Sequence, residues 1–225
     1  LVIALCASGI SLVSTDVLAS SFQLFEQDGA SVGTYHAGYA AEAADASVAW
    51  YNPAGIPLIK NQQVATGGSA IMTSFKYKGT VTVNSTDPAS NGVPQQTTAQ
   101  GGAFGIVPFL HYVAPLSERL GFGFSIDAPF GLETDYGRET PVQYASTLSQ
   151  VTVIDISPSL GYMITDKASI GAGLDIQPMQ AEFDAVGGFV NPSDGLPITS
   201  LNTESVNKAT DTGYGAHFGA LYQFK

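Results

Sequence analysis

From residue 103 onward the chain alternates with a period of two, and this limits the fold more than any other feature. In 120–127, Leu120, Phe122, Phe124 and Ile126 fall on one face, and Gly121, Gly123, Ser125 and Asp127 on the other. In 152–164, Ile154, Ile156, Leu160, Tyr162 and Ile164 stand opposite Asp155, Ser157, Ser159 and Gly161. Ile170, Ala172, Leu174 and Ile176 oppose Ser169, Gly171, Gly173, Asp175 and Gln177, and Tyr214, Phe218, Tyr222 and Phe224 oppose Gly213, Gly215, His217 and Gly219. A period of two belongs to the pleated strand. It predicts strands near 103–116, 119–131, 147–164, 168–184 and 212–224, after a first strand near 63–78 that alternates poorly and carries Gly67-Gly68. The strand near 103–116 is apolar on both faces, with Val107, Phe109 and Val113 opposite Ile106, Leu110 and Tyr112.

The connections separate a sandwich from a barrel. Short turns at 116–119 and 165–167 alternate with long polar stretches at 79–102, 132–146 and 185–211. A transmembrane barrel has short turns at one rim and long loops at the other. A sandwich, whose bulky face would be its core, gives no reason for this order. Charged residues are 12% of the chain, against about 25% in soluble domains, and mean hydropathy is +0.15. No helix-length apolar run follows the first twenty residues, as strands dilute the hydrophobic signal. A net charge of −11 with 8 Lys+Arg argues against nucleic-acid binding.

Residues 1–19 carry an apolar core ending in Val17-Leu18-Ala19, the pattern of a secretory signal peptide. It lacks an initiator Met and a basic n-region, so a truncated signal is expected, with Ser20 opening the mature chain. Shortness and Asp16 count against a membrane helix. Cys6, the only cysteine, would be removed, leaving no thiol for a disulfide, a metal or catalysis. Residues 20–55 are rich in Ala and Gly, lack sustained alternation and end on Asn52-Pro53-Ala54-Gly55, a turn signal. This order predicts a partly helical plug over 20–60 ahead of barrel strands over 61–225.

Ser21-Phe22-Gln23-Leu24, Gly38-Tyr39-Ala40, Ala43-Ala44-Asp45-Ala46, Asn52-Pro53-Ala54, His111-Tyr112-Val113-Ala114-Pro115 and Phe130-Gly131-Leu132 follow one another along the chain. This ordered set resembles the FadL/TodX outer-membrane transporters of long-chain fatty acids and other hydrophobic molecules. The resemblance implies an all-β fold, a transmembrane antiparallel β-barrel of about 14 strands when complete. About six would be present here, with a small N-terminal hatch. It further implies a monomer in the Gram-negative outer membrane, in contact with its lipid and lipopolysaccharide. Its role there is passive transport of fatty acids or aromatic hydrocarbons, without cofactor or metal. Phe22, Asn52, Pro53, Ala54 and Gly55 become hatch or gating residues by this resemblance. Asp127, Ala128, Pro129, Phe130 and Gly131 become a strand kink with a lateral opening, and Phe109, Val113 and Gln180 a lumen pocket.

The residues themselves allow two readings at each place. Pro129 cannot donate to a ladder and Gly131 favours a kink, although Pro129 could simply end its strand. Asn52 could bridge the plug backbone to the wall, or merely end a helix. Gln180 and Ala128 fall where fatty-acid members of the family carry Arg and Ser. Without a cation a buried carboxylate is poorly paired, which favours a neutral hydrocarbon. His36, His111 and His217 are scattered, with no H-E-x-x-H spacing and no G-x-S-x-G elbow, so no enzyme is expected. Two other readings stay open: an adhesin barrel binding a host or phage through its loops, and a barrel-embedded lipid hydrolase using His111 and His217.

Overall fold

Alternating bulky and small side chains produce a sheet whose two faces differ sharply. The computed structural model describes residues 23–82, 94–140, 142–189, 191, 193 and 198–224. The expected signal peptide, the cleavage site at Ser20 and the gating candidate Phe22 lie outside these. The strands are β1 Gln63–Met72, β2 Lys76–Thr82, β3 Pro94–Gln100, β4 Phe104–Pro115, β5 Leu120–Asp135, β6 Leu148–Met163, β7 Ala168–Gly187 and β8 Thr203–Tyr222. Six of them form one antiparallel sheet in the order β1-β4-β5-β6-β7-β8, and β2 pairs with β3 apart from it.

The bulky face is the exposed one. Leu174 is 59% exposed and Phe218 82%, whereas Ser125 and Ser157 are fully buried and Asp127 and Asp155 nearly so. A soluble sheet has the opposite arrangement; an outward apolar band with a polar interior is that of a barrel wall in lipid. Among the described residues no helix is long and apolar enough to cross a membrane. Residues 23–60 lie against the inner face as short pieces, among them the helix α1 Val48–Tyr51 and the 3-10 turn Pro53–Leu58. The apolar core joins Ala46, Val48, Ala49, Ile56 and Ile59 of this segment to Val113 of β4.

Three long connections differ from expectation. The strand expected over 63–78 leaves the sheet after Met72, and 79–102, read as a loop, contains most of the β2–β3 hairpin. Its Thr, Val and Tyr residues suit a strand while its polarity imitates a loop. β5 continues to Asp135, and β7 and β8 reach past the expected 185–211 loop limits, pairing to Gly187↔Thr203. There a backbone ladder needs no apolar alternation, and Lys208 pairs with Glu182 across it at 2.9 Å.

Candidate functional site

A row of glycines crosses the inner wall. Gly121 is opposite Gly161, Gly161 opposite Gly171, and Gly171 opposite Gly219, on β5, β6, β7 and β8. The 3-10 turn 53–58 lies in this groove. A Cβ on Gly121 would strike Ile56, on Gly161 and Gly171 the Pro53 backbone, and on Gly219 the Asn52 side chain. Asn52 caps the turn, its Oδ1 accepting from Ala54 N at 3.0 Å. Its Nδ2 donates to Ala40 O at 2.7 Å within the segment and to Ala220 O on β8 at 3.3 Å. Ser169 Oγ adds a bond to Ala54 O at 2.6 Å.

The wall parts higher up. β4 and β5 pair only from Leu110↔Ile126 to Pro115↔Gly121, while β4 continues beside β1 to Phe104. On its other side β5 shifts register against β6 between Asp127 and Phe130, a bulge of one extra residue around Ala128-Pro129. A proline in a bulge has no amide to leave unpaired. The gap holds a cavity of about 430 Å³. Its lining includes Ile106, Pro108, Ile126 and Ile154, which share the outer face, and Val107, Asp127 and Val151 from the inner one. The lining therefore draws on both faces of the wall. Leu24 of the inner segment also lines the cavity: Leu24 N donates to Pro129 O at 2.8 Å, and Gln23 bridges Phe130.

Two histidines grip the backbone of that N-terminal segment. His36 Nε2 donates to Phe25 O, and His111 Nε2 donates to Gln27 O at 2.7 Å. His36 sits in a polar knot with Asp28, Ser31 and Tyr51, whose hydroxyl is 2.9 Å from both Asp28 Oδ2 and His36 Nδ1. Burial alone would raise the Asp28 carboxyl, but bonds from Ser31 and Tyr51 hold it below 3.8. Burial and the Asp28 carboxylate push the Tyr51 phenol upward. His111 Nδ1 is 3.0 Å from Ser125 Oγ, but Ser125 is fully buried and gives no substrate carbonyl an approach. Among the described residues no group of acidic, His or Cys side chains could hold a metal.

Residues 10–225 match the family model for the outer membrane protein transport proteins, OMPP1/FadL/TodX. The chain belongs to this family. It is an outer-membrane protein of the kind found in Gram-negative bacteria. It is 26% identical to outer membrane protein P1 of Haemophilus influenzae over 98% of this chain and 54% of that one. It is likewise 26% identical to a long-chain fatty acid transport protein of Escherichia coli, over 96% of this chain and 50% of that one. The chain thus spans about half the length of these curated relatives. Its fold matches the crystal structure of a Pseudomonas aeruginosa FadL homologue with a TM-score of 0.68 at 19% identity, covering 92% of this chain and 50% of that chain. It also matches the P. putida toluene transporter TodX with a TM-score of 0.53 at 17% identity, covering 80% and 48%.

The site residues expected from sequence divide into three groups. Asn52, Pro53, Ala54 and Gly55 come together in the glycine groove, and Asp127 to Gly131 lie at the bulge. The supposed lumen pocket of Phe109, Val113 and Gln180 is not one place. Val113 is packed into the core with the inner segment, and Phe109 stacks on His111 at 5.6 Å. Gln180 is exposed, opposite Thr152 and Thr210. The pairing of β7 with β8 runs through Pro178 without a shift, so Gln180 stays on the outer face with Leu174 and Ile176. The glycine row and the grip of His111 on Gln27 were not foreseen.

Proposed function

We propose that the complete protein is a passive channel for hydrophobic molecules, plugged by residues 20–60, from which the cargo leaves sideways between β4 and β5. The observation that supports this reading is the largely apolar cavity lying in the wall where the β4–β5 ladder stops. A hydrophobic molecule released there enters lipid without crossing water, which is the favourable path for apolar surface. The lining contains Asp127 and Glu133 and, among the described residues, no Lys or Arg. An entering carboxylate would find no cation to pair with, which supports a neutral hydrocarbon over a fatty acid. No catalytic step or cofactor is needed, and a monomer surrounded by outer-membrane lipid and lipopolysaccharide is sufficient.

The test uses the intact protein in a strain without its own hydrophobic-compound transporters. Deleting Ala128 together with Pro129→Thr removes the extra residue and restores an amide to the ladder. Uptake of labelled toluene is expected to fall to near background with the barrel still inserted, and labelled oleate to enter more slowly than toluene in the wild type. Unchanged toluene uptake in the straightened variant would sink lateral release. A wild type admitting neither label would sink the transport reading.

A further inference from the structure

One N–H in the wall faces two acceptors. His111 is fully buried, and its Nε2 lies 2.7 Å from the Gln27 carbonyl. A carbonyl can only accept, so Nε2 carries the proton and Nδ1 accepts from Ser125 Oγ at 3.0 Å. The same Nε2 is 3.6 Å from Asp127 Oδ1, beyond hydrogen-bond reach. Among the described residues neither oxygen of Asp127 has a hydrogen-bond partner, although its side chain is wholly buried. Asp155, directly opposite on β6, takes the nearby donor: Gln177 Nε2 bonds its Oδ2 at 2.5 Å. An unpaired buried carboxyl is costly, and a native structure rarely keeps one without use.

The segment that His111 holds is built to let go. Apart from buried Gln27 and Asp28, residues 23–28 are exposed or half-buried. They are tied by Leu24 N to Pro129 O, by the Gln23–Phe130 bridge, by the two histidines and, at the Asp28 end, by bonds from Ser31 and Tyr51. A stretch held by a few hydrogen bonds over a cavity belongs to the low end of local stability.

We propose that His111 is a two-position latch for the N-terminal segment. With the segment seated, His111 Nε2 donates to Gln27. When the segment withdraws from the opening, the same N–H passes to Asp127, which accepts whether or not it holds a proton. A ring shift of about 1 Å suffices. Withdrawal then exchanges one hydrogen bond for another instead of leaving a buried donor and a buried carboxyl both unpaired. The latch rests on the transport reading for its purpose, while its mechanics are observable without cargo.

Hydrogen exchange of the Leu24 amide, followed by mass spectrometry on the intact protein in lipid nanodiscs, reports how often the segment lifts. Asp127→Leu removes the second acceptor and is expected to slow this exchange about fivefold. Asp127→Asn keeps an acceptor oxygen and is expected to exchange close to the wild-type rate. In a His111→Phe background, Asp127→Leu should have no further effect, because the donor it serves is gone. Equal slowing with and without His111, or no slowing with it, overturns the latch. If the His111 variant does not insert, the contrast between Leu and Asn at position 127 decides alone. Failure of hydrocarbon uptake with this contrast intact would instead overturn the transport reading.

Discussion

The two ends of the inner segment are held by different physics. At 52–58 the backbone sinks into the glycine row, where any side chain on Gly161 or Gly171 would strike the Pro53 backbone. Contact of this kind is set by shape, and close-packed surfaces resist gradual displacement. At 23–28 the same chain lies across a gap, with exposed Gln23 and Phe25 and a handful of polar ties. The first arrangement suits an anchor and the second a stopper. On the proposed function, a plug that must stay in its barrel and still clear an opening would need both in one short stretch of chain.

Breaking the anchor should have the largest effect. Gly171→Val places its Cβ against the Pro53 carbonyl carbon and the Ala54 amide, backbone that cannot rotate aside. The expected loss is about 3 kcal/mol, read as a lower urea midpoint for Trp50 emission; a midpoint equal to wild type would mean the groove is not shape-limited. Asn52→Ala comes next. It removes the bonds to Ala40 O and Ala220 O and the cap on Ala54 N, about 2 kcal/mol in all. Asn52→Asp separates the parts, since it keeps an acceptor for Ala54 N but no donor for the two carbonyls. Ala54 should then stay protected from exchange in Asn52→Asp and lose protection in Asn52→Ala.

The main sheet was legible because its signal is local. Leu120 to Ile126 and Ile170 to Ile176 announce their outward face within seven residues, and the last four strands of the sheet follow from such runs. The β2–β3 hairpin was hidden because Gln95, Gln96 and Thr97 carry no apolar stripe, although their backbone pairs fully. Part of the glycine row was available: Gly161 and Gly171 lie five residues either side of Asp166, so a tight turn there sets them opposite. Gly121 and Gly219 join the row only through pairings across long connections, which spacing cannot supply. Gln180 was misplaced because it was matched to a relative's position; counting by twos from Leu174 puts it outside. The meeting of His111 with Gln27 and Asp127 left no trace in sequence. It depends on where an irregular segment comes to rest, and neither propensity nor period encodes that.

The smallest expected effect tests whether the stopper is tied to the anchor through the polar knot. Tyr35 and His36 both have positive φ, 55° and 57°, a conformation costing of order 1 kcal/mol or more per residue. Tyr51 stacks on His36 at 5.3 Å, and its hydroxyl reaches Asp28 from the helix beside Asn52. Tyr51→Phe keeps the ring and removes that reach, at about 1 kcal/mol. Because the folded Asp28 carboxyl lies below its ordinary 3.8, its stabilisation is complete above that pH and lost as pH falls through the native value. Losing one donor should move the native titration midpoint of Asp28 up towards 3.8, so the loss begins at higher pH in the variant. Carbon-13 NMR of the Asp28 carboxyl measures this directly. An unmoved midpoint would mean that the bonds from Ser31 and Ala30 hold the carboxylate without Tyr51, and that the phenol does not tie α1 to Asp28.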